Sequence, residues 1–112
     1  MSALGAINST SEVRIDASVN PTPGATISID ASTANLFKWT SGETETVNIT
    51  AGQKAGRVIT FMITNDAIIR TITLGTGIIS VGAIVGTALK TAVVVLQSDG
   101  INFYELSRTL GL

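Results

Sequence analysis

The residues able to carry chemistry are few, and their spacing assembles no reactive group. The chain has neither histidine nor cysteine, so the usual general base, the thiolate nucleophile and the thiolate metal site are all missing. A serine or threonine nucleophile would need a lysine base, but Lys38, Lys54 and Lys90 stand apart and no Ser-x-x-Lys spacing occurs. Four acids remain as candidates, Asp30, Asp66, Asp99 and Glu105. Asp66 and Asp99 sit in turn sequences, where aspartate has a conformational role. Gly75-Thr76-Gly77 lacks the third glycine of a dinucleotide loop, and Gly52 to Gly56 lacks the lysine-threonine ending of a phosphate loop. No D-x-D-x-D-G calcium loop is present. No enzymatic activity, catalytic residue, metal or cofactor is expected. Asn8-Ser9-Thr10 and Asn48-Ile49-Thr50 match the glycosylation pattern, a match that arises readily by chance in a threonine-rich chain.

Whatever the chain does must therefore come from its surfaces, and composition says what those are made of. Its 112 residues suit one domain. Only 13% are charged, about half the share in an average soluble domain, and 16 Thr and 10 Ser take their place. Ile, Val and Thr together supply 39 residues, the β-branched types that fit a pleated, half-buried surface. The class is all-β. The net charge is -1 and the basic residues are scattered singly, so no field concentrates for nucleic acid. Such a weakly charged surface is a liability for a free monomer and natural for a subunit whose surface is occupied. Thr71 to Leu89 carries no charge, but its threonines and glycines interrupt the continuous apolarity that lipid demands, and no membrane association is expected. No basic segment followed by an apolar run opens the chain, so no secretory signal is expected.

Strand signals recur at short intervals from Ala25 onward. Ala25 to Asp30 turns Ile27 and Ile29 to one face; Asn35 to Thr40 carries Leu36, Phe37 and Trp39; Thr44 to Thr50 points Val47 and Ile49 inward, with Glu45, Thr46 and Asn48 expected outside. Arg57 to Thr64 is the clearest central strand, with Ile59, Phe61 and Ile63 opposite Val58, Thr60, Met62 and Thr64. Ile68 to Leu74 alternates again, and Gly75 to Gly86 is irregular. Thr91 to Gln97 reads as a strand buried on both faces. Ser98-Asp99-Gly100 is a hairpin signal leading into Ile101 to Arg108. Short, evenly punctuated strands imply an antiparallel β-sandwich or a jelly-roll-like barrel over residues 25–112. Residues 1–24 read as an extended N-terminal arm, held off the domain by an elbow at Pro21 and Pro23. Within it Glu12 to Asp16 alternates, and Val13, Arg14, Ile15 and Asp16 are the candidate subunit-contact residues. Of the aromatic side chains Phe37, Trp39, Phe61, Phe103 and Tyr104, a buried group of three is expected as ordinary core, with Trp39 and Tyr104 able instead to mark a contact surface.

The closing stretch Ser98-Asp99-Gly100-Ile101-Asn102-Phe103-Tyr104-Glu105-Leu106-Ser107-Arg108 resembles the S-D-G-T-N-W-Y-E-hydrophobic-S-R ending of small β domains in tailed-phage virion proteins. Ala55 to Phe61, the Asn65-Asp66 turn and Ile72 to Gly77 resemble the same domains, so the likeness covers about residues 44–110. Ile101 and Phe103 depart from it, standing where a small turn residue and a tryptophan are usual. The resemblance implies a homotrimer without enzymatic activity, located in a virion. A short chain with an arm is expected of a capsid decoration (cement) protein that binds the major capsid protein or other virion subunits. A head-fibre, tail-fibre or receptor-binding module is the alternative, and a carbohydrate-binding domain a more distant one.

Overall fold

Apolar residues at every second position favour strands that bury one face, and ten strands form in the computed structural model, which describes residues 17–112. In chain order these are β1 (Ser18–Val19), β2 (Thr26–Asp30), β3 (Leu36–Ser41), β4 (Glu45–Ala51) and β5 (Val58–Asn65). They continue with β6 (Thr71–Leu74), β7 (Ile78–Ile79), β8 (Ile84–Val85), β9 (Thr91–Ser98) and β10 (Phe103–Thr109). The described residues contain no helix, and so none long and apolar enough to cross a membrane.

The strands form two mixed sheets, one ordered β1-β3-β5-β9-β10-β7 and the other β2-β4-β6-β8. From β1 to β8 the chain alternates between them, and from β3 to β6 each strand lies beside the one two places earlier and parallel to it, in the pairs β1–β3, β2–β4, β3–β5 and β4–β6; β7 pairs instead with β10, also parallel. Only β6–β8, β5–β9 and β9–β10 are antiparallel. This coil stacks like a solenoid, and it corrects the expectation of antiparallel sheets in a sandwich or jelly roll. The physical reason is that period-two alternation is identical for parallel and antiparallel strands. Direction is set by the connections. Gly42–Thr44 and Asp66–Arg70 carry the chain across to the facing sheet, whereas the Asp99-Gly100 turn reverses it within one sheet.

Stacked in register, the inward side chains of successive turns form ladders. Ile27, Val47 and Leu74 line up across the small sheet, and Phe37, Phe61 and Val94 across the large one. The Phe37 and Phe61 rings meet edge-on at 6.2 Å, and Trp39 meets Phe61 at 5.6 Å, the tilted geometry aromatic quadrupoles favour. All these residues belong to one buried cluster that spans both sheets. Gly77 shows how tightly the turns stack: its φ is +80°, and a Cβ there would collide with the Ile49 carbonyl oxygen.

Candidate subunit-contact surface

Val13, Arg14, Ile15 and Asp16 lie outside the described residues. The chain that follows is tied to the domain. Ser18–Val19 pairs with Leu36 and Phe37, and the Ala17 carbonyl accepts from Asn35 and Leu36 N–H at 3.2 Å each. Ser18–Val19 therefore form an outer strand of the six-stranded sheet, within the segment that the sequence reading gives to the arm. The Pro21–Pro23 elbow then runs beside that sheet's outer face. With Lys38, Met62, Thr64 and Thr91 it encloses an open groove of about 630 Å³.

The two sheets differ in what they turn outward. On the four-stranded sheet the outer rows are Thr26–Thr46–Thr73 and Ser28–Asn48. These are hydroxyl and amide groups, with Asn48 Oδ1 accepting from the Thr76 N–H at 2.7 Å, and Val85 is a large apolar side chain on that face. On the six-stranded sheet one outer row runs Leu36–Thr60–Val95–Ser107 and the next Lys38–Met62–Val93–Thr109. At one end lies Val58–Gln97–Tyr104–Ile79, and at the other Thr40–Thr64–Thr91. The Thr64 and Thr91 hydroxyls bond each other at 2.9 Å. Lys38 is the single charge in these four rows, and Val58, Tyr104 and Ile79 are each more than 40% exposed. Val93 and Val95 are half-buried on the side expected to be wholly covered. Among the described residues nothing covers this side of β9, so it is only half-buried where the sequence reading expected burial on both faces.

The uncharged stretch from Thr71 to Leu89 adds further apolar surface. Ile72, Leu74, Ile78 and Ile84 enter the core, but Ile79, Val81, Val85 and Leu89 stay exposed. Part of this passage is clasped by the closing motif. Arg108 donates Nε to Glu105 at 2.6 Å and Nη2 at 2.8 Å, and reaches the carbonyls of Gly82 and Ala83 at 2.8 and 2.9 Å. The guanidinium holds the Glu105 carboxyl below the usual range. The Glu-x-x-Arg spacing of the motif accordingly has a structural task, pinning the β7–β8 loop to β10.

The other candidate acids are likewise occupied close to home. Asp99 accepts from the N–H groups of Ile101 and Asn102 at 2.9 Å each, which lowers its pKa and fixes the hairpin. Asp66 is gripped by Arg70 at 2.8 Å, and Asp30 by the Ser32 hydroxyl and N–H. Among the described residues no three acids converge as a metal site would require. Phe37, Trp39, Phe61 and Phe103 are all core residues, one more than the expected group of three, and Tyr104 is the exposed aromatic residue.

Glu45, expected outside, is buried at 1% exposure. It shares the inward face of β4 with Val47 and Ile49, because the strand keeps its alternation to its first residue. The Trp39 indole N–H donates to Oε1 at 3.0 Å, and Oε2 is buried without a partner. Desolvation raises the Glu45 pKa, while Trp39 and the Ser41 hydroxyl pull it the other way. Trp39, the one polar aromatic in reach, is thus committed inward. A search of known protein-family models and of curated proteins finds no match to this chain.

Proposed function

We propose that this protein is a structural subunit of a tailed-phage particle, a trimeric decoration protein that binds the capsid surface and stiffens it. The observation that carries this reading is the nearly uncharged, partly apolar outer face of the six-stranded sheet, beside a four-stranded sheet whose outer face is polar. Solvent-exposed apolar area on this scale marks interaction sites in soluble proteins. The likeness of the closing motif to virion domains supplies the kind of assembly, on the warrant of analogy. In this role the two sheets act as the layers of a sandwich, one facing its own trimer and one facing water. The arm with Val13 and Ile15 attaches to a neighbouring subunit by strand addition. Among the described residues β2 is the outermost strand of its sheet, the type of edge that accepts such a strand.

One feature favours the fibre alternative. Among the described residues β1 and β2 are outermost strands at the start of the coil, and a coil with such edges can continue in series, as modules of a fibre do. Sugar binding has less support, because Phe37 and Trp39 are buried and one ring, Tyr104, is left as a platform.

The test is reconstitution. Phage heads produced without this protein are mixed with the purified chain, and occupancy and heat resistance are measured. Saturable binding at a fixed number of copies per head, with a raised rupture temperature, is expected. Binding at the tail tip alone would replace the decoration reading with the fibre one.

A further inference from the structure

We infer that the outer face of the six-stranded sheet is where copies of this chain bind one another, with Met62, Val93 and Val95 at its centre. This deepens the reading of a trimeric subunit and rests on it.

Three observations point to a second copy as the occupant. The first is charge. With Lys38 as its single charged side chain, the face offers a nucleic acid or an acidic protein almost nothing to pair with, whereas it is complementary to itself. Rows of Val, Met and Thr meet like rows without an unpaired ion, and an uncharged centre is what distinguishes the core of an interface. The second is the central strand. β9 carries apolar residues on both sides, Ala92, Val94 and Leu96 packing inward while Val93 and Val95 lie half-buried outside. Strands of that kind are normally covered on both faces. A like-twisted sheet is a natural cover, since two sheets interdigitate about 10 Å apart when their twists agree. The third is area. Four strands of six to eight residues and two of two residues, about 4.8 Å apart at 3.4 Å per residue, present roughly 540 Å², about two thirds of the ~800 Å² each partner gives to a standard interface. Three such faces around a common axis would close a prism with the apolar rows inside and the Thr26–Thr46–Thr73 rows outside. The groove beside Pro21–Pro23 borders this face, so a neighbouring copy would also fill it.

The experiment uses the full chain and three variants, Met62→Lys, Val95→Lys and the control Thr73→Lys on the outer face of the other sheet. Sedimentation velocity from 0.1 to 100 µM gives the mass, and circular dichroism with thermal melting reports folding. The wild type and Thr73→Lys should sediment at three times the 11.5 kDa chain mass. Met62→Lys and Val95→Lys should remain folded while their association weakens roughly a hundred-fold or more, because each leaves a charge buried without a partner. A wild-type monomer, or a folded Val95→Lys that stays trimeric, would overturn the inference. Should a lysine variant fail to fold, Val95→Thr, which keeps shape and β propensity, takes its place and should still weaken association measurably; unchanged association would again overturn it. Trimers that dissociate as expected, from a protein that never binds heads, would uphold this face and sink the decoration reading.

Discussion

Replacing Glu45 with Gln should stabilise the protein at neutral pH and have little effect in acid. The carboxyl is 1% exposed, receives one hydrogen bond at 3.0 Å from Trp39, and leaves Oε2 without a partner. Burial is the largest influence on it and raises its pKa above the ordinary glutamate value of 4.5. The folded state thus holds the proton more tightly than the unfolded one, so stability falls as pH climbs from about 4.5 through the raised folded value and then levels off. Glutamine keeps the shape and an oxygen for the Trp39 N–H, and it removes the buried charge. An unsatisfied buried acceptor costs about 1–3 kcal/mol, and the new amide N–H groups take back part of the gain. A net of about 1 kcal/mol at pH 8 is therefore expected, a rise of roughly 4–8 °C in Tm for a domain of this size. Melting curves of both proteins between pH 4 and 8 should converge at the acid end and separate above it. A variant less stable than the wild type at pH 8 would refute the reasoning, since the charge would then be stabilised by its surroundings, with Arg70 the nearest candidate.

Three other outcomes follow from named contacts. Arg108→Met frees the loop at Gly82 and Ala83 and strands the nearly buried Glu105 carboxylate; allowing for the partial exposure of the arginine, a loss of about 2 kcal/mol in urea denaturation is expected. Because Arg108 lowers the Glu105 pKa, the wild type should lose this advantage as pH drops below about 4.5, and the difference between the two proteins should shrink there. Gly77→Ala must place a side chain at φ +80° against the Ile49 carbonyl, so a fall of several kcal/mol or failure to fold is expected in the same assay. Deleting residues 2–15, which spares the paired Ser18–Val19 strand, should leave the association state unchanged while sharply lowering occupancy on heads; equal occupancy would move attachment from the arm to a sheet face.

The longer strands were legible in the sequence and the two-residue strands β1, β7 and β8 were not, and the reason is local. Ile27 and Ile29, Val47 and Ile49, and Ile59, Phe61 and Ile63 all bury where alternation put them, because a strand against a core fixes its own inward face. What the sequence left open was long-range. Nothing in Gly42–Thr44 distinguishes a turn within one sheet from a crossing to the other, and that choice decides between an antiparallel sandwich and the coil seen here. Glu45 was placed outside on residue type, and the alternation running through Val47 and Ile49 would have placed it inside. The candidate face was half legible: the unbroken Ala92 to Leu96 run showed a strand apolar on both sides, but only the strand order shows that Val58, Met62 and Tyr104 lie on the same outer face as Val93 and Val95.

The central claim, that this chain works by binding other subunits in a virion, is tested most directly by a reconstruction of the intact particle encoded by the same genome. The expected density shows three copies at each occupied capsid junction, their six-stranded sheets turned toward one another and the chain from Ala17 leading toward a neighbouring subunit. Particles lacking the chain altogether would contradict the claim.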